Sequence, residues 1–460
     1  MKKLFFSLLH LLLALGFAQA QNALNMVRLG TWDDNSLPVG SPGNLNVQYS
    51  GCWGLAVNGH EYAVLGGAAH VLFFDVTVPA QPQLVGKFAG TTTTVWREFK
   101  SYKNRIYAVS DATTEGLMVF DLSHAEDTIV RTYWSNEFFE RAHTITLDTV
   151  SGRIYLNGGS ANQGMIVLDV SQNPDQPTLL ANLPSIPGGY LHDSYVRNDT
   201  LYGSSGYDGY YIFDFKDPQN PVFLASVSTG GYNHNSWLNP EGTHAYYTEE
   251  IPQGQPVRVV DLQNLNVGEI EVVGGFLDNL TPNAGSLAVP HNVYIKDHLL
   301  FNSQYEDGLL VYDISNPTEP MLVAYYDTHP ENSAYLGYFG NWGNYPWLPS
   351  GNIIAGDMQH GLQVLKITAP VGTQNIENQL TAHISPNPAT ERLTIRLQSE
   401  AASTTWSCRL LNAAGQVFRS AEMENQTELA LPLQGIPSGL YFVEIRDHAG
   451  ATALRKVVVN

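Results

Sequence analysis

The sequence has little cysteine, little charge and few long apolar runs. Only Cys52 and Cys408 occur among 460 residues, and they fall in what read as different domains, so a disulfide framework is not expected and stability must come from packing. Charged residues make up 14%, while aromatics reach 11%, with 41 glycines and 24 tyrosines. That profile suits many short strands joined by tight turns and argues against a helical protein. Basic residues are scarce, 23 against 43 acidic ones, for a formal net charge of −20. Such a chain is repelled by nucleic acid, which removes that class of partner. No Gly-x-Ser-x-Gly, phosphate loop or dinucleotide fingerprint is present, so the chemistries those motifs support find no local signature.

One apolar run stands out, Leu4 to Phe17. It is shorter than the ~20 residues that span a bilayer, so no transmembrane segment is expected. It follows Lys2 and Lys3 and precedes Ala18-Gln19-Ala20, where small residues suit a signal peptidase. Residues 1–20 therefore read as a signal peptide, with Gln21 as the first mature residue.

What the sequence does have is a repeat. An apolar residue, Asp and a second apolar residue recur as Phe74-Asp75-Val76, Phe120-Asp121-Leu122, Leu168-Asp169-Val170, Phe213-Asp214-Phe215, Val260-Asp261-Leu262 and Tyr312-Asp313-Ile314. Leu365-Lys366-Ile367 is a degenerate seventh copy, and successive spacings are 46, 48, 45, 47, 52 and 53 residues. A period near 45–50 residues with strand-like runs is that of a β-propeller, four strands to a blade. The repeated Asp is expected to accept backbone hydrogen bonds in the turn that follows, since a catalytic residue is not needed six times over. The seventh repeat lacks an outer strand, and Met26 to Trp32 resembles one. The expected fold is therefore all-β: a seven-bladed propeller over 21–368, closed by a strand at 25–32, then a linker at 369–382 and a small β-sandwich at 383–460.

Several stretches are specific enough to carry a resemblance. Tyr190-Leu191-His192-Asp193, Tyr232-Asn233-His234-Asn235-Ser236-Trp237, His291-Asn292, Gly308 to Asp313, Tyr326-Asp327-Thr328-His329-Pro330 and Asn341 to Pro346 resemble the LVIVD-repeat proteins of the choice-of-anchor B family. The resemblance covers nearly the whole propeller and implies an exported protein of that fold. It says little about biochemical activity. The tail has Ser385-Pro386-Asn387-Pro388-Ala389, Pro437-Ser438-Gly439-Leu440-Tyr441 and Lys456-Val457-Val458-Val459. It resembles the type A C-terminal sorting domain of the type IX secretion system. That likeness implies recognition by the secretion machinery through 383–460 and passage across the outer membrane of a Gram-negative bacterium. In that family the domain is then cut off, leaving cargo secreted or held on the cell surface, and the same is expected of this tail.

Counting back 22 to 27 residues from each repeat position reaches the first strand of each blade, at Trp53, Trp96, His143, His192, His234, His291 and Trp342. First strands line a propeller's channel. Four histidines on consecutive blades can converge at its mouth and hold a divalent metal, with Asp193 and Glu249 or Glu250 completing the shell. The alternative is a polar lining that bonds backbone and water. Trp53, Trp96, Arg97 and Trp342 are candidate contacts for an extracellular ligand at the rim, although an Arg97–Glu98 pair accounts for the arginine equally well. The sequence thus points first to a binding module of unknown ligand. A metal-dependent hydrolase at the channel mouth comes second and a structural envelope protein third.

Overall fold

The computed structural model describes residues 23–40, 46–280, 287–331, 334–368, 382–397, 405–412, 417–424, 426–447 and 452–459. The expected signal peptide and residues 369–381 of the expected linker lie outside the described residues. Two units are distinguished, Met1–Val371 and Gly372–Asn460.

In the first unit the repeat motif folds the same way each time. The carboxylates of Asp75, Asp121, Asp169, Asp214, Asp261 and Asp313 each accept the backbone N–H of the residue two positions on, at 2.6–2.8 Å. This is the Asx turn, a local bond that ends a strand and starts a link. The apolar residue after each Asp donates its N–H back to the chain around the preceding hairpin turn, as Val76 does to Glu61 and Leu122 to Asn104.

Around these turns the described residues of this unit form seven antiparallel sheets, six of them containing a four-strand meander. The first comprises Tyr49–Val57, His60–Gly67, His70–Asp75 and Gln83–Ala89. Its inner strand is followed in the later sheets by Arg97–Tyr102, Thr144–Asp148, Asp193–Arg197, Asn233–Leu238, Asn292–Lys296 and Asn341–Tyr345. Each inner strand packs beside the next, and Asn341–Tyr345 packs beside Tyr49–Val57, so the order is cyclic. Apolar side chains fill the wedges between sheets. Phe73 meets Phe120 of the following sheet at 5.0 Å between ring centroids, both fully buried.

The last sheet draws its outer strand from the other end of the chain. Met26–Trp32 pairs antiparallel with Gly361–Ile367. It also has the irregularity of the other outer strands. In each of them one residue is skipped in the register: Val85, Thr132, Leu180, Leu224, Val273 and Val323. In Met26–Trp32 the skipped residue is Leu29. A bulge at a sheet's outer edge increases twist and discourages further pairing.

The second unit has a three-stranded sheet, Ala382–Ser385, Arg392–Leu397 and Glu428–Pro432, and a four-stranded one, Thr405–Asn412, Val417–Glu424, Gly439–Asp447 and Thr452–Val459. Alternating residues such as Leu393, Ile395, Trp406, Leu410, Leu431 and Val443 point into one shared core. That period of two is what a half-buried strand requires. Cys52 and Cys408 are both buried thiols in different units.

Candidate functional site at the channel mouth

His143, His192 and His291 immediately precede inner strands, and His234 is the second residue of one. Their shared position brings them into a row. Successive ring centroids lie 4.3, 4.2 and 4.2 Å apart from His143 through His192 and His234 to His291. Trp96 and Trp342 end the row, 6.3 Å from His143 and 4.8 Å from His291.

The row is fixed by bonds between neighbouring inner strands. His192 Nδ1 lies 3.0 Å from the carbonyl of His234, His234 Nδ1 3.1 Å from that of His291, and His291 Nδ1 2.5 Å from that of Trp342. A carbonyl only accepts, so each Nδ1 carries a proton and each Nε2 presents a lone pair. Burial pushes His192 and His234 well below the usual imidazole range and His291 down to about 3. All three are neutral at pH 7, the form that binds metals. His143 differs, because its Nδ1 meets the Asp111 carboxylate at 3.0 Å.

Above the row lies a cavity of about 550 Å³, walled by Tyr190, Tyr232, Tyr305, Tyr338 and the two tryptophans. Glu250 projects into it. Its carboxyl is raised by burial and accepts a hydrogen bond from the Tyr305 hydroxyl at 2.8 Å. Glu250 Oε2 lies 3.9 Å from His234 Nε2. The ligating atoms of His192, His234 and Glu250 all fall within 4.8 Å of one another. Two imidazoles and a carboxylate with open positions form a set suited to zinc or a similar divalent ion. Bonds to such an ion are ~2.0–2.2 Å long, so the three atoms, within 4.8 Å of one another, would draw together around it.

The other candidate side chains are engaged in bonds of their own. Glu249 is fully buried but faces away, paired with Arg258 at 3.0 Å and accepting the Gly231 N–H. Adjacent residues of a strand point to opposite faces, which separates it from Glu250. Asp193 accepts bonds from Thr144, Asn235 and the Ser194 N–H, tying inner strands together. Arg97 is buried in a bidentate pair with Glu115 and also donates to the Gly67 carbonyl, which leaves no donor facing the mouth. Glu98 instead accepts from the Trp342 indole at 2.6 Å.

Trp53 is not in the row. The irregularity between Tyr49 and Cys52 matches that between Asn233 and Ser236, so Trp53 corresponds to Trp237, and Ser50 to His234. Trp53 and Trp237, with Tyr345, Trp347 and Lys100, line a separate cavity of about 500 Å³ where the inner strands end. Two contributors to the mouth, Asp111 and Tyr305, escaped the sequence reading. Tyr305 left one signal. The turns Ser204-Ser205-Gly206-Tyr207-Asp208-Gly209 and Ser303-Gln304-Tyr305-Glu306-Asp307-Gly308 are parallel, and Tyr305 stands where the first has Gly206.

Residues 383–460 match the family described as the secretion system C-terminal sorting domain, and residues 303–328 match the LVIVD repeat. No curated protein is found to match the chain. Among solved structures, a protein from Lactobacillus plantarum is similar at 13% identity and a TM-score of 0.48, covering 79% of this chain and 95% of that one. The chain is a β-propeller protein with an LVIVD repeat and a type IX sorting domain. Its tail is the part recognised by the type IX machinery, and the protein is exported to the surface or surroundings of a Gram-negative cell. Among the described residues no helix is long and apolar enough to cross a membrane.

Proposed function

We propose that this protein is an extracellular binding module whose ligand enters the aromatic cup at the channel mouth. There it completes the coordination of a divalent metal ion on His192, His234 and Glu250. One observation carries this reading: two buried imidazoles, each with Nδ1 bonded to a carbonyl, turn lone pairs toward the part-buried Glu250 carboxylate, which lies 3.9 Å from His234 Nε2. Uncompensated buried charge is costly, and a cation at this point offsets it. The outer partners fix ring orientation, as they do in metal sites generally. Tyr190, Tyr232 and Tyr338 supply amphipathic walls for an organic ligand.

Metal analysis of the purified chain tests this. One equivalent of divalent ion bound through His192 and His234 is expected, so the content of His192→Ala/His234→Ala should be about one equivalent lower than that of wild type. Ligand-independent, metal-free protein with the same binding behaviour as wild type would overturn it. The Asp111–His143 pair favours a second reading, a metal-dependent hydrolase, because a carboxylate-backed imidazole beside a metal can serve as a general base. Turnover of ester or phosphoester substrates that is lost in His143→Ala, with metal content kept, would select that reading.

A further inference from the structure

A second group of ligating side chains lies away from the channel. His329 follows the outer strand Met321–Tyr326, and Asp357 and His360 flank the turn between Ile353–Asp357 and Gly361–Ile367. One ligating atom from each of the three lies within 4.8 Å of the others. Glu331 adds a carboxylate oxygen 2.5 Å from His360 Nε2 and 3.7 Å from His329 Nδ1.

We propose that His329, Asp357, His360 and Glu331 bind a second divalent transition-metal ion, zinc by the chemistry of the donors. Three features support it. His329 Nδ1 is buried and has no hydrogen-bond partner, a deficit that a bound cation removes. The ring itself is held, stacked on Phe339 at 6.2 Å between centroids with a 12° interplanar angle. Asp357 is completely buried and oriented by three bonds, from the Gln359 and His360 N–H groups and from the Thr328 hydroxyl. Such outer contacts aim a ligand before metal arrives.

The donor set also selects among ions. Two imidazole nitrogens with carboxylate oxygens suit zinc and its neighbours, whereas calcium and magnesium take oxygen shells. The side chains of His360 and Glu331 are 38% and 52% exposed, so the ion has a path from solvent and room for a water ligand. Its position gives it a task. It would clip the connection between the sixth and seventh sheets to the hairpin of the seventh, the sheet completed by Met26–Trp32. The clipped connection also carries Tyr338, one wall of the cup.

Zinc titration of the full chain, stripped with chelator, tests the proposal by calorimetry and native mass spectrometry. Wild type is expected to take two ions. His192→Ala/His234→Ala should keep one, and His329→Ala/His360→Ala should lose that one. Zinc should raise the melting temperature of the channel variant but not of the channel variant further changed by His360→Gln. The single, partly exposed His360→Gln change guards against misfolding and should weaken one site at least ten-fold while its chelated melting temperature matches wild type. A channel variant that binds no zinc, or equal zinc uptake with and without His329 and His360, would overturn this site. Wild type that takes a single ion, kept in His192→Ala/His234→Ala and lost in His329→Ala/His360→Ala, would leave this site standing and refute the channel reading alone.

Discussion

Tyr305 holds Glu250 from a backbone conformation that tyrosine rarely adopts. Its φ is +34°, and its hydroxyl donates to Glu250 Oε1 at 2.8 Å. The matching turn of the fourth sheet uses Gly206, at φ +56°. Glycine enters the left-handed region without the Cβ clash that costs other residues of order 1 kcal/mol. A tyrosine retained there has a use that offsets its strain, and its hydroxyl has one partner of consequence.

Tyr305→Phe is therefore expected to preserve the fold and weaken metal binding at the channel mouth by about 10–100-fold, as loss of an outer-shell bond does. Competition against a chromophoric chelator measures this directly. Equal affinity in the two proteins would remove Tyr305 from the site.

The closing strand gives a prediction about stability. A Cβ added at Gly30 would lie 2.1 Å from the Pro79 carbonyl oxygen, which belongs to the link of the first sheet. Gly30→Ala should force the strand off its neighbour and cost about 1–3 kcal/mol, the usual range for overpacking. Deleting residues 23–32 should cost more, because Gly361–Ile367 then becomes an open edge. Urea unfolding checks both, and unchanged midpoints would show that this strand contributes nothing to the ring.

Much of this was legible because it is local or periodic. Asp75 and its five counterparts were recognisable as turn residues because an Asx bond spans two positions and needs no tertiary context. The histidine positions were legible because one His stands near the start of the first strand in each of four consecutive repeats. Trp53 was misassigned because counting cannot see that the first hairpin of its sheet pairs on to Val57 and His60, nor that one extra residue enters between Tyr49 and Cys52. Glu249 and Glu250 could not be separated by spacing, since facing alternates residue by residue. Asp111 lies in the turn of a neighbouring sheet, 32 positions from His143, and only the ring's curvature joins them.

The sorting domain leads to a prediction about the exported form. A sorting domain acts as an address, and the unit at 383–460 has its own core, so removing it need not disturb the propeller. The exported protein is expected to begin at Gln21 and to lack the sorting domain. Intact mass of material from the medium or cell surface reads both ends at once. A mass corresponding to residues 1–460 would contradict the expectation.

The last prediction concerns acid. His291 is neutral when folded, with its pKa pushed down to about 3 by burial. In the unfolded chain it returns to the ordinary value near 6.5. Between those values the unfolded state binds more protons, so stability is full above about pH 6.5 and falls as pH falls, until about pH 3. The loss approaches about 1.4 kcal/mol per pH unit for one histidine, or ~2 kcal/mol between pH 7 and pH 5. Asp307 works in the opposite sense, with its carboxyl raised to about 6 by burial, so a single pH curve mixes the two. The difference between wild type and His291→Gln isolates the histidine, because Asp307 is common to both. Gln can still donate to the Trp342 carbonyl that His291 Nδ1 meets in the native protein. In chelator, wild type should lose about 2 kcal/mol more than His291→Gln from pH 7 to pH 5. Parallel curves from denaturant unfolding would mean that His291 is protonated, or solvated, in the folded ring.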